Sequence, residues 1–260
     1  MYNKKIDLHL IKKIKDYYKK NTTNSHLINY SLISNTNGKI FIWIWLYSFN
    51  KFIKITFIIL KELLMSLKIK IYKCHGKFSK NKKKLIISWA FKKNFKKNGE
   101  YIDQYFNISS RKNKDINWFL IYMDEILPKK YDENIILFAQ QTKKNQFSII
   151  NFFKKLFKNF INSKFSLFKF VILISPFSNF SQVLLQNIKP YINNKTEKIL
   201  TPFEGQPFQN EVNLYVKKKY KNIISIGYVH APPFSIPVNF IKNYSSPNKL
   251  IVNGSAQKKY

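Results

Sequence analysis

From Gly38 to Asp124 the chain alternates β-branched and aromatic runs with lysine-rich turns, and this alternation is its tightest constraint. Ile40 to Tyr47 is bounded by Asn35-Thr36-Asn37-Gly38 before it and Asn50 after it, and reads as a strand. Lys51 to Leu67 contains neither Gly nor Pro. On a helical wheel its Lys51, Lys54 and Lys61 fall within about 80° of one another, and nearly all the rest is apolar. Such a helix lies on a sheet and keeps a narrow lysine stripe outside. Three strand-like runs follow at Ile69–Cys74, Leu85–Phe91 and Ile116–Met123, with a weaker one at Tyr101–Asn107. The expected fold is α+β: a small sheet with one packed helix (strand, helix, three strands), followed by a mixed α/β C-terminal extension.

The turns between these runs carry the candidate binding residues. They are Lys77, Lys80, Lys82, Lys83 and Lys84, then Lys92, Lys93, Lys96 and Lys97, then Arg111, Lys112 and Lys114. A compact module with every turn cationic describes a clamp for a polyanion. The whole composition agrees, with 46 Lys+Arg against 13 Asp+Glu and a formal net charge of +33 over 260 residues. That charge repels itself unless something neutralises it. RNA is the first candidate, because the lysines recur along the chain and do not gather on one amphipathic face; an anionic membrane surface is the second. A chain so charged, with Asn-rich turns, is expected to be held by a large partner.

Arg111 is the only arginine, although arginine normally leads at bidentate phosphate sites. No demand of folding produces that bias or the heavy use of Lys, Asn, Ile, Phe and Tyr. An AT-rich genome such as an organelle's does, which points to a protein made in an organelle. A retained Met1 fits synthesis inside the organelle.

Other chemistry is thinly represented. Cys74 is the only cysteine, so neither a disulfide framework nor a cysteine-based zinc site is expected. His75 beside Cys74 reads as a turn histidine, and His9, His26 and His230 are isolated in sequence. The carboxylate pairs Asp124-Glu125 and Asp132-Glu133 flank Pro128-Lys129-Lys130 and read as salt-bridged turn residues. Glycines form no phosphate-cradling or GxxG loop. No cofactor or metal is expected, and apolar runs are interrupted by lysine before reaching the length of a membrane span. Trp43, Trp45, Trp89 and Trp118 lie in strand-like runs and read as core, with base stacking the other option.

Outside the module, residues 1–37 read as a basic N-terminal arm, helical over Met1–Lys20. In the extension, 126–260, Phe147–Leu167 and Ser178–Lys189 read as helices. Phe168–Ser175, Val212–Val216 and Ile223–Val229 read as strands. The tail from Pro202 fits either a second α/β unit or an irregular wrapping segment.

The run Ile69-Lys70-Ile71-Tyr72-Lys73-Cys74-His75-Gly76-Lys77-Phe78 resembles the "GIKI-x-x-SGR-L" strand and turn in the C-terminal domain of the small-subunit ribosomal protein three family. Its neighbours keep the family's order. A basic helix precedes it (Phe49–Leu67), and Leu85–Ala90 stands where the family has "EIARTE". Tyr101-Ile102-Asp103 is similar to "IDY", and Ser110-Arg111 through Trp118-Phe119-Leu120-Ile121 is similar to "TRYG-x-x-GVKVWI". The resemblance covers residues 40 to 125 and implies a non-enzymatic scaffold in the head of the mitochondrial small subunit. Lys51, Lys54 and Lys61 would then face messenger RNA near the entry channel. The turn lysines and Arg111 would contact ribosomal RNA, alongside other small-subunit proteins and a separate KH-containing chain. A peripheral subunit of a mitochondrial respiratory-chain membrane complex is the alternative. An organellar RNA-processing enzyme, with acidic residues so few and scattered, is a distant third.

Overall fold

The computed structural model describes residues 71–77, 82–141, 149–162, 176–230 and 244–252. The expected N-terminal helix, the strand at Ile40–Tyr47, the helix at Lys51–Leu67 and the strand at Phe168–Ser175 lie outside these residues, as do Lys51, Lys54, Lys61 and Lys80.

Seven strands form one sheet: β1 (Tyr72–His75), β2 (Lys84–Ala90), β3 (Ile116–Tyr122), β4 (Ile135–Gln140), β5 (Lys198–Pro202), β6 (Ile224–Val229) and β7 (Lys249–Val252). Their spatial order is β1-β4-β3-β2-β5-β6-β7. Only β1 runs antiparallel to its neighbour; every other pairing is parallel. With the sheet, the α-helices among the described residues, α1 (Ile149–Asn162), α2 (Pro176–Ile188) and α3 (Pro207–Lys219), make an α+β fold. Taken alone and renumbered in chain order, the six parallel strands read 3-2-1-4-5-6, the order of an open doubly wound sheet.

The strand residues sort onto two faces with a period of two. Leu85, Ile87, Phe119, Ile121, Ile136, Phe138 and Ile199 point to one face, where Leu184 and Ile188 of α2 and Phe208, Val212 and Val216 of α3 cover them. Ile86, Ala90, Trp118, Leu120, Tyr122, Ile135 and Leu137 point to the other, which is covered by Tyr101, Phe95, Phe106 and Ile108 of the β2–β3 connection. Both faces of β3 are therefore buried, which explains its unbroken run Ile116-Asn117-Trp118-Phe119-Leu120-Ile121-Tyr122. Each fully buried large side chain of this kind contributes about 1.5–3 kcal/mol. Trp118 is fully buried and Trp89 packs against the helix-covered face, so both described tryptophans are core residues.

Strands β2 and β3 precede residue 125 and β4 to β7 follow it, yet all share this sheet. The runs at Ile69–Cys74, Leu85–Phe91, Ile116–Met123 and Ile223–Val229 appear as β1, β2, β3 and β6, and the helices expected at Phe147–Leu167 and Ser178–Lys189 appear as α1 and α2. Two expectations are corrected. Tyr101–Asn107 is not a strand and keeps only the isolated bridges Phe95↔Tyr101 and Ile102↔Ser109. The Asp103 carboxylate accepts the N–H groups of Tyr105 and Phe106, each at 2.8 Å, and this local turn competes with sheet pairing. Val212–Val216 is helical, inside α3. Pro207 opens that helix behind a Gln206/Gln209 capping box, and Phe208, Val212 and Val216 recur every fourth residue on its buried side.

Candidate nucleic-acid interface

Parallel strands in register bring their first residues to one edge of the sheet. Lys84 aligns with Ile116 on one side and Lys198 on the other, and Lys198 aligns with Ile224. The turns entering these strands therefore stack side by side, carrying Lys82, Lys83 and Lys84, Lys112 and Lys114, Lys195 and Lys198, and Lys221. Backbone bonds knit them together: the N–H groups of Glu197 and Lys198 donate to the Lys83 carbonyl, and Ile224 N–H donates to the Glu197 carbonyl. Lys77 follows β1, whose antiparallel course ends beside the start of β4, and so joins the same end.

Carboxylates at this edge are outnumbered. Lys83 Nζ lies 2.7 Å from Glu197 Oε1, and Lys84 Nζ lies 2.6 Å from Asp115 Oδ2. The hydrogen bond that Lys83 donates to Glu197 pushes its ammonium above its ordinary value, while Lys83 holds Glu197 below the usual carboxylate range. Asp115 is lowered by its bond from Lys84. Lys82 is shifted the other way, because partial burial penalises its charge more than Asp115 and Glu133 stabilise it. Lys84 and Lys198 face each other across neighbouring strands, a like-charge juxtaposition that is unfavourable without a counter-ion. Helix α3 ends at the same edge with Lys217, Lys218 and Lys219, where lysines also complement the negative end of the helix dipole. Lys189 and Lys219 sit over the Tyr215 ring at 5.1 and 5.6 Å.

The other candidates fall elsewhere. Lys92 and Lys93 leave the far end of β2 and line a cleft of about 510 Å³ with Phe91, Asp124, Glu125 and Ile126. There the Lys92 N–H donates to Asp124 Oδ2 at 2.5 Å. Lys96 is ion-paired with Glu100 at 2.8 Å, and Lys97 is exposed in the same turn. Arg111 works inside the fold: its Nε lies 3.1 Å from Asp132 Oδ1, and Nη2 donates to the Asn98 carbonyl at 2.5 Å. Asp132 also accepts from Ser110 Oγ at 2.5 Å, which ties the β2–β3 connection to the entry of β4.

Open parallel sheets commonly bind nucleotides where the strand order reverses, here the crevice beyond the ends of β2 and β5. That crevice is organised differently. Gln209 Oε1 accepts the N–H groups of Glu204 and Gln206, each at 3.0 Å, and the N–H groups of Gln209 and Asn210 donate to the Gln206 carbonyl, so these four amides around the start of α3 are occupied. Glu204 adds a carboxylate that lies 3.3 Å from His230 Nε2, and Tyr105 packs edge-on against the His230 ring at 4.5 Å. Among the described residues no group of three or more His, Cys, Asp or Glu is placed to hold a metal ion. Cys74 contacts Asn187 Oδ1 at 3.7 Å, and burial pushes its thiol up to about 11. Among the described residues no helix is long and apolar enough to cross a membrane.

Sequence reading did not single out Lys195 or Lys198, because β5 is short, ends in Pro202 and lacks an apolar alternation; Lys221 was passed over although the strand after it was expected. The usable signal was the recurrence of a lysine turn before each strand. Comparison of the chain with known protein families, with curated proteins and with solved structures returned no match.

Proposed function

We propose that this chain is a non-enzymatic, RNA-bound structural protein of the mitochondrial small ribosomal subunit. One observation carries the reading: lysines from turns more than a hundred residues apart in sequence converge on one edge of a single sheet, with too few carboxylates to neutralise them. Lys82, Lys83, Lys84, Lys112 and Lys114, joined by Lys195, Lys198 and Lys221, meet the phosphates of ribosomal RNA as mobile point charges, positioning the backbone without reading bases. Lys77 extends that row, and Lys92, Lys93, Lys96 and Lys97 form a second, weaker contact at the opposite end. Arg111 serves the interface indirectly by fixing its turn. A position in the subunit head near messenger RNA, with a separate KH-containing chain as neighbour, rests on the ribosomal resemblance and on Lys51, Lys54 and Lys61.

The test is sedimentation of detergent-solubilised mitochondria, with and without ribonuclease. The chain is expected to travel with small-subunit particles and to leave them when the RNA is digested. Migration with a respiratory complex, indifferent to ribonuclease, would favour the alternative of a peripheral membrane-complex subunit, which the exposed Phe157 and Ile161 of α1 support.

A further inference from the structure

Helix α1 stands apart from the sheet and makes no substantial contact with any other described element. Its sequence, Ile-Ile-Asn-Phe-Phe-Lys-Lys-Leu-Phe-Lys-Asn-Phe-Ile-Asn, divides cleanly into an apolar half and a half of Lys and Asn at 3.6 residues per turn. Phe157 is 67% exposed and Ile161 51% exposed, and by helical spacing they lie within about 40° of each other. Lys154 and Lys158, both exposed, border that apolar side.

We propose that α1 is a membrane-surface helix that lies flat on an anionic phospholipid bilayer, with Phe157 and Ile161 at the acyl boundary and Lys154 and Lys158 among the headgroup phosphates. Charge complementarity selects this partner. From Gln141 to Ser175 lysine is the only charged residue type, so the segment around α1 offers cations without a single carboxylate. An RNA backbone satisfies the lysines but leaves Phe157 and Ile161 in water, whereas a bilayer interface meets both sides of the helix at once. Lysines at the rim of an apolar face extend their stems along it and keep their ammonium groups at headgroup level. Fourteen residues span about 21 Å, short of the roughly 30 Å hydrocarbon core, so the helix lies in the surface and does not cross it.

A chain this basic adheres to anionic vesicles through charge alone, so the experiment reads insertion. In the full-length chain carrying Cys74→Ser and Phe157→Cys, an environment-sensitive fluorophore is attached at position 157. A second chain, with Cys74→Ser and Lys112→Cys, carries it on the sheet edge. Vesicles are phosphatidylcholine alone or with about a third phosphatidylglycerol, and salt is then raised to about 0.5 M, where screening reaches about 4 Å. The label at 157 is expected to report water in buffer and with RNA, to shift to an apolar environment only with the anionic vesicles, and to stay shifted in high salt. The label at 112 shows no such shift. In the otherwise native chain, Ile161→Ser lowers the salt-resistant vesicle-bound fraction about tenfold. The proposal is overturned if the 157 label is already shielded without vesicles, which means that another part of the chain, or a second copy, covers the face. It is equally overturned if high salt strips the shift entirely, or if the label never moves.

Discussion

Neutralising Lys82, Lys83 and Lys198 together removes three cations from adjacent turns at the basic edge while leaving the core untouched. Among the described residues neither Lys82 nor Lys198 is ion-paired, and Lys83 is held by Glu197 at 2.7 Å. Each lysine that meets a phosphate releases about 0.7 counter-ion from single-stranded RNA and about 0.9 from a duplex. At about 0.15 M salt that release is worth roughly four- to fivefold in affinity per contact, so the triple Lys→Gln variant should bind about 50- to 150-fold more weakly. The slope of log affinity against log salt should fall by about 2 to 3. Fluorescence anisotropy with a labelled ribosomal-RNA fragment, repeated from about 0.05 to 0.3 M salt, measures both quantities. Lys92→Gln with Lys93→Gln is the comparison, since Asp124 and Glu125 line the same cleft; its slope should change by about 1 or less. An unchanged slope in the triple variant, or a larger change in the comparison, refutes the placement of the interface at the strand N-termini.

Asp103→Ala leaves the Tyr105 and Phe106 amides and the Tyr101 hydroxyl without their buried acceptor and should cost about 3 kcal/mol in urea unfolding. Asp103→Asn keeps one acceptor oxygen and should cost less; equal losses would mean that the turn does not depend on these bonds. Gly76→Ala should destabilise by about 2 kcal/mol or more and detach β1, because φ is +105° and the new Cβ would collide with the Ile135 carbonyl oxygen. Hydrogen exchange at Tyr72–His75 reports that loss, and unchanged protection there would count against it. Burial raises the Cys74 thiol from 9.0 to about 11, so at pH 8.5 it should alkylate about a hundredfold more slowly than a free thiol. Because the folded value lies above the unfolded one, the stability linked to this thiol is complete below about pH 9 and is lost as pH rises towards 11. Alkylation at the free-thiol rate would contradict the burial.

Local chemistry in the sequence was enough for several elements. Ile116–Tyr122 is a strand by composition, being β-branched and aromatic almost throughout. The division of apolar and lysine positions marked α1, and Pro190 marked where α2 stops. The charge of +33 repels itself whatever the fold and is the ground on which an anionic partner is proposed. Where a local competitor outweighed propensity, composition misled: Asp103 turned an apparent strand into a loop, and the cap at Gln206–Gln209 turned another into α3.

Only the tertiary structure decided which strand lies beside which. β4 inserts between β1 and β3, and β5 docks beside β2 although more than a hundred residues separate them. A strand's own residues fix its propensity and the alternation of its faces, but its neighbour is chosen by long-range burial shared with helices elsewhere in the chain. That choice set Lys84 beside Lys198 and so made one basic edge out of turns that, read along the sequence, are merely frequent.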